Sequence, residues 1–346
     1  MGSRGAPLIA LAWRRLAGAD CRCERRSVSL APFKVVPGPP LSARELSILL
    51  AMCVVWGFHY VVIKAAMVEI PPVFYAAMRM TLVAAVLSPF LRWRTGKMGY
   101  VIPAALCFGS VNYILLFTGV SLASASASAI ANQLYVPFAT ILSVIFLKER
   151  IGWRRITGIT LAFAGVAVIV SSRGQAPPEV RLGIGIGLVA LATLVEAAGS
   201  IFVKKASGFK PWELLAWFGA VGAPVLWGVT FALERNQFEA LAASDTKLVV
   251  AAILYSALLA SVLGHTTYYW LLQRRPVSEV ASSSLLTTFL AVSFSILILG
   301  EPMNAAIVIG GVMTLFGVGV VVLRAPATAP EPGAPEAVVI KAEERP

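Results

Sequence analysis

Ten apolar segments occupy the sequence between residues 47 and 323, at approximately 47–67, 73–91, 100–120, 126–147, 156–171, 182–203, 212–233, 248–272, 277–299 and 303–323. Each is close to the roughly 20 residues that a helix needs to cross about 30 Å of hydrocarbon. Backbone groups facing lipid have no water to bond, so a spanning segment must be a helix or part of a closed barrel. Barrel strands would alternate apolar and polar residues, whereas these runs are continuously apolar, and the barrel is excluded. The sequence therefore predicts an all-α integral membrane protein with ten transmembrane helices. Composition agrees: 58% of the residues are hydrophobic and 13% charged, against about 25% charged in a soluble domain.

The net charge of +12 does not mark a nucleic-acid binder, because the cations form no single stripe or face. They cluster in alternate short loops. Arg92, Arg94, Lys97, Lys148, Arg150, Arg154, Arg155, Lys204, Lys205, Lys210, Arg274 and Arg275 lie in the even-numbered loops, and only Arg173, Arg181, Arg235 and Lys247 lie in the odd ones. Cations beside a spanning helix resist translocation. With the basic N-terminal segment, this distribution predicts an inner-membrane protein whose two termini are both cytoplasmic.

Residues 124–170 recur as residues 276–322, at an offset of 301 − 149 = 152. The register superimposes Glu149 on Glu301, Gly158 on Gly310, Gly165 on Gly317 and Leu147 on Leu299. Such a duplication in an apolar chain points to a transporter built from repeats. Five spans per copy is an odd number, so the second copy must cross the bilayer upside down. The expected organisation is a basic, disordered cytoplasmic extension over 1–43 (or a start codon placed too early), five-helix repeats over 44–172 and 182–323, and a disordered tail over 324–346.

Enzymatic and cofactor chemistry find little support. Cys53 and Cys107 fall inside apolar runs as small buried residues, and Cys21 with Cys23 supplies too few ligands for a closed zinc site. No metal and no cofactor is expected. Gly183, Gly185 and Gly187 lack the spacing of a phosphate-binding loop, and close helix packing accounts for them. Nucleotide-binding, zinc-protease and serine-hydrolase motifs are all missing, so the chain is not expected to be an enzyme.

The sequence resembles the drug/metabolite transporter superfamily, and within it the EamA-type exporters of ten helices in two inverted five-helix repeats. The residues that carry this are Trp56-Gly57 with Val61-Val62-Ile63-Lys64, Pro71-Pro72 then Arg79, Pro137 with Leu147-Lys148-Glu149-Arg150, and Gly158 with Gly165. In the second half they are Gly199 to Lys205, Gly264 and Leu299-Gly300-Glu301. The branch most similar is that of the bacterial O-acetylserine/cysteine exporters. His59 stands where that branch tends to have Asn, and Phe289 replaces the proline expected opposite Pro137. The resemblance implies alternating access around a central cavity, with efflux of an amino acid or derivative.

An ionised group inside the bilayer needs a partner, water or a task. Glu196 lies deep in the sixth span beside Ala192, Gly199 and Ser200, and could bind a substrate amine, couple transport to protons or pair with a buried cation. The two histidines, His59 and His265, are either bonded to neighbouring helices or line the cavity with Trp56, Tyr268 and Tyr269. Arg79 pairs, snorkels or meets a substrate carboxylate, and Lys64 and Lys204 sit at corresponding helix ends. Asn112, Asn132 and Gln133 bridge helices or line the cavity. The expected substrate cavity is Trp56, His59, Asn112, Asn132, Gln133, Glu196, Ser200, His265 and Tyr269, with Glu196, His59 and His265 as candidates for proton coupling. Partners are a small-molecule substrate and the bilayer, with no nucleic acid. An importer of sugar- or nucleotide-like solutes and a non-transporting scaffold or receptor are the alternatives.

Overall fold

The computed structural model describes residues 42–147, 151–171, 181–206, 208–272 and 277–323. Glu149 with Lys148 and Arg150, the loop cations Arg173, Arg274 and Arg275, both tails with Cys21 and Cys23, and the side chain of Tyr269 lie outside the described residues. Within them the chain is helical, with no strand.

Helix α1 (Ala43–Glu69) starts at a capping box, in which the Glu45 N–H donates to Ser42 Oγ at 3.3 Å and the Ser42 N–H to the Glu45 carboxylate at 3.0 Å. Helix α2 (Pro72–Leu87) opens on a proline, whose missing N–H costs nothing in a first turn. Next come α3 (Met98–Leu122), α4 (125–147), α5 (Trp153–Ser171), α6 (Leu182–Lys205) and α7 (Pro211–Leu233). A short helix, Gln237–Ala243, leads into α8, which joins Thr246–Leu254, a π-helical segment Tyr255–Leu263 and Gly264–Leu272. Helices α9 (Val277–Leu299) and α10 (Ala305–Leu323) complete the bundle. Among the described residues nine helices are long and apolar enough to cross a membrane; the described apolar part of α9, Ser283–Leu299, is shorter.

Three helices depart from the continuous α-helices that hydropathy predicts. Helix α4 is broken into Ala125–Asn132 and Tyr135–Leu147. Pro137 has no N–H to return to the Gln133 carbonyl, which accepts the Val136 N–H at 3.2 Å instead, so the chain turns at Gln133-Leu134. Helix α3 contains a π segment at Cys107–Val111 and α8 one at Tyr255–Leu263. Insertions of this kind are uncommon and gather at functional sites. Helices α3 and α8 hold the same rank in the two halves of the chain.

The helices pair with two-fold regularity. Helix α1 packs on α9 as α6 packs on α4, and α3 packs on α6 as α8 packs on α1, while α2 pairs with α7 and α5 with α10. Small residues permit these contacts, since lipid offers no hydrophobic gain for association and close approach must supply the attraction. A Cβ placed on Gly158 would stand 2.8 Å from the Gly317 carbonyl oxygen, and one on Gly165 2.5 Å from that of Gly310. Gly119 and Gly185 make the same reciprocal contact between α3 and α6, at 2.7 Å each way. Of the three glycines expected to serve close packing in α6, only Gly185 does so: Gly187 has nothing within 4 Å and Gly183 only Val170 Cγ1 at 3.7 Å. They sit on a different face of the helix from Gly185.

Polar groups at the helix ends are satisfied by charged side chains from other helices. At one end of the bundle, Glu234 accepts the Val73 and Phe74 N–H groups at 2.8 Å each, capping α2. Also there, Glu69 accepts the Asp245 N–H at 3.1 Å. At the opposite end the buried Glu213 pairs with Arg94 at 3.1 Å and Arg92 at 3.6 Å, holding the α2–α3 loop on α7. Trp93 and Trp153, both largely exposed, lie at that same end, as an interfacial aromatic belt requires.

Candidate functional site

The interior polar groups fall into three neighbouring sets carried by α1, α2, α3, α4, α6, α8 and α9. The first lies between α1, α2 and α8. His59 Nε2 and Ser256 Oγ are 2.9 Å apart, and Ser256 Oγ hydrogen-bonds in turn to the Tyr75 hydroxyl, which donates to the Ala252 carbonyl at 3.1 Å. Trp56 Nε1 donates to the Ala260 carbonyl at 2.9 Å, and its ring meets His265 edge-on at 5.5 Å and Tyr268 at 5.6 Å. His265 Nδ1–H donates to the Ser261 carbonyl at 3.0 Å. Gly264 makes room for the indole: a Cβ there would stand 2.5 Å from Trp56 Nε1. His59 and His265, two of the expected cavity residues, are therefore both bonded to α8, and the imidazoles also lie within electrostatic reach of each other and of Arg79.

The π segment of α8 creates this arrangement. Ser261 Oγ donates to the Ser256 carbonyl five residues back, at 2.8 Å. In a regular α-helix residues five apart do not share a face, whereas the wider π turn brings them together. Ser256 thus faces His59 and Tyr75 while Ser261 faces Arg79.

The second set lies between α3 and α6. Asn112 Nδ2 donates to the Ala192 carbonyl at 3.0 Å and reaches the Glu196 carboxylate at 3.5 Å. Among the described residues no salt bridge reaches Glu196, so the structural ion pair that sequence left open is not formed. Burial of an ionised group in a spanning helix costs about 2.5–3.5 kcal/mol, and one long amide contact offsets little of that. Tyr60 and Tyr268 lie within electrostatic reach of the same carboxylate. Ser200, expected beside it, turns its hydroxyl back to the Ala197 carbonyl at 2.6 Å.

The third set joins the break in α4 to α9. Gln133 Nε2 donates to the Ser284 carbonyl at 2.8 Å and to Thr288 Oγ1 at 2.6 Å, so this buried amide ties two helices together. Among the described residues, neighbouring Asn132 keeps a buried Oδ1 with no hydrogen-bond partner.

The two halves place unlike groups at like positions. Setting Lys64 on Lys204 (204 − 64 = 140) puts Trp56 on Glu196 (196 − 56 = 140), and the offset of 152 puts Asn112 on Gly264 (264 − 112 = 152). The α1–α8 contact of an indole with a glycine is thus the counterpart of the α6–α3 contact of a carboxylate with an amide.

Sequence reasoning weighed Arg79 but left it outside the expected cavity, and did not single out Tyr75, Ser256 or Ser261. Tyr75 and Arg79 are four residues apart on α2, which places them on one helical face. Arg79 is 2% exposed. Its guanidinium donates through Nη2 to Ser261 Oγ at 2.7 Å and to the Tyr113 hydroxyl at 3.3 Å, and lies 4.4 Å from the Tyr113 ring centroid and 5.5 Å from that of Phe117. Among the described residues His, Cys, Asp and Glu form no cluster fit to hold a metal.

Residues 44–171 and 183–323 each match the model of the EamA-like transporter family. A "Probable amino-acid metabolite efflux pump" of Salmonella typhimurium is 26% identical over 290 residues, covering 80% of this chain and 94% of that protein. The protein of the same description in Escherichia coli is 24% identical over 284 residues, with the same coverage. An "Uncharacterized transporter" of Archaeoglobus fulgidus is 25% identical over 289 residues, covering 80% and 98%. A solved crystal structure with 16% sequence identity superimposes at a TM-score of 0.56, covering 82% of this chain and 98% of the other, a likeness of fold alone.

Proposed function

We propose, from the premise that this chain belongs to the EamA-like transporter family and is a multi-pass membrane transporter, that it exports amino acids or their derivatives across the inner membrane and carries no enzymatic activity. Ten helices form two inverted five-helix repeats, 44–172 and 182–323, with both termini cytoplasmic. The halves rock about a central cavity, exposing it to one side and then the other.

The observation that carries this reading is Glu196: a carboxylate inside the bundle, touched by an amide and by no cation among the described residues. A buried charge without a partner is costly in a static scaffold and useful in a site that alternately receives an ammonium group or a proton. The relatives described as amino-acid metabolite efflux pumps support the same substrate class. Trp56, His59, Asn112, Asn132, Gln133, Ser200, His265 and Tyr269 complete the proposed cavity, with Glu196, His59 and His265 as its proton carriers.

The test is a tolerance and efflux screen in cells overproducing the protein, against a panel of amino acids and close derivatives. Wild type should raise the external level of at least one compound, and Glu196→Ala should abolish that gain at equal protein abundance. Efflux of none of them, or undiminished efflux by Glu196→Ala, overturns the reading.

A further inference from the structure

We infer that Arg79 is the receptor for the carboxylate of the transported solute, and that α3 sets it beside Glu196 as the cationic half of a zwitterion site. This rests on the export reading above. Arginine holds its charge under all protein conditions and offers five N–H donors. Only the two on Nη2 are engaged, by the hydroxyls of Ser261 and Tyr113. Among the described residues Nε and Nη1 are buried with no hydrogen-bond partner, so three donors are left unused.

Among the described residues no carboxylate serves as a built-in counter-ion to Arg79. Glu213 is paired to Arg92 and Arg94, Glu234 caps α2 and Glu301 caps the first half of α4, while no ion pair joins Glu196 to Arg79. A structural arginine in a bundle is expected to end on a carboxylate or on backbone carbonyls. This one ends on two neutral hydroxyls and an aromatic face, which hold the guanidinium in place without neutralising it. The described residues supply no anion for it, and the solute is the one we assign. A carboxylate matches the planar donor set.

The partner half of the site follows from α3. Asn112 and Tyr113 are consecutive residues; the first contacts the Glu196 carboxylate and the second the Arg79 guanidinium. The same level of α3 thus contacts an anionic group on one side and a cationic group on the other, the two charges that the ammonium and carboxylate ends of an α-amino acid would require. His59 and His265 flank the cation and carry no negative charge to compete for it.

The full-length protein in proteoliposomes, loaded with an equimolar mixture of common amino acids and their carboxamides, provides the test, with efflux read by mass spectrometry. At least one free amino acid should leave about tenfold faster than its carboxamide, since a site built around a charged donor rejects the analogue that lacks its mate. Arg79→Gln should bring the two rates together, and Arg79→Lys should retain part of the preference. Equal wild-type rates for acid and carboxamide, or a preference that survives in Arg79→Gln, overturn the inference while leaving export intact. Efflux of no amino acid overturns the export reading. The inference is then judged on detergent-solubilised protein titrated with sodium acetate or sodium chloride: acetate should raise the melting temperature of wild type and not of Arg79→Gln. An equal effect of chloride, or none from acetate, overturns it.

Discussion

Lys64 and Glu301 grip opposite sides of one tight turn between α3 and α4. The Lys64 ammonium donates to the carbonyls of Val120, Ser121 and Ala123 at 2.9, 3.1 and 2.7 Å, where α3 ends. The Glu301 carboxylate accepts the N–H groups of Ala125 and Ser126 at 2.6 and 3.0 Å and the Ser126 hydroxyl at 2.6 Å, where α4 begins. Each charge sits at the helix end whose dipole it complements. Lys64 comes from the first half of the chain and Glu301 from the second, so the turn is clasped from both.

Removing either member should loosen this turn. Lys64→Met and Glu301→Gln should each lower stability by about 1–3 kcal/mol, the worth of charge-assisted hydrogen bonds left without a mate. The double variant should lose less than the sum, because both charges hold the same turn. Thermal unfolding in detergent measures the first effect. Labelling of a Ser124→Cys protein by an impermeant thiol reagent measures the second, and should quicken in either background. Unchanged labelling would show that the turn is closed by something else.

Proton coupling through Glu196 has a sign. If an external proton enters as solute leaves, acidifying the outside of loaded vesicles should accelerate efflux by wild type. Glu196→Gln keeps the hydrogen-bonding shape but cannot ionise, so its efflux should be slower and indifferent to the gradient. An equally steep response in Glu196→Gln would remove the carboxylate from the coupling.

The glycines of α5 and α10 should be intolerant where those of α6 are permissive. Gly165→Val or Gly310→Val forces a side chain into the facing backbone and should cost at least about 1–3 kcal/mol, read as lost monodisperse protein after solubilisation. Gly187→Ala meets open space and should be neutral or raise stability by roughly 0.5–1 kcal/mol, since glycine is a poor helix former. Equal tolerance at the two sites would contradict the packing.

Orientation can be read from two exposed loops. A cysteine replacing Asp245 should react with impermeant reagents outside intact cells, and one replacing Thr95 only after permeabilisation, because the loops lie at opposite ends of the bundle. Equal reactivity at both would refute the proposed topology.

The helices and their repetition were legible because hydropathy is a property of long, contiguous stretches, and a Glu displaced by 152 residues onto another Glu needs no tertiary knowledge. Glu196 was legible for a related reason: a charge amid apolar residues is conspicuous whatever surrounds it. The partners of these groups were not. Gln133 stands out in sequence as a polar group in an apolar span, but its bonds to Ser284 and Thr288, more than 150 residues away, do not. Nothing in the sequence relates Ser256 to Ser261, because the π turn that aligns them leaves no clear mark in composition. Arg79 was ambiguous for the same reason, since whether a cation is matched depends on every helix around it.

The backbone contact of α5 with α10 bears on how the molecule can move. At Gly158, Gly165, Gly310 and Gly317 the two main chains come into direct contact, with the side chains of Thr314, Val321 and Ile169 packed against the same glycines, and among the described residues neither helix contributes to the three polar sets. Backbones this close interlock and resist sliding past each other. In the rocking motion proposed above this seam is the spine of a book, and the pages are the helices carrying His59, Arg79 and Glu196.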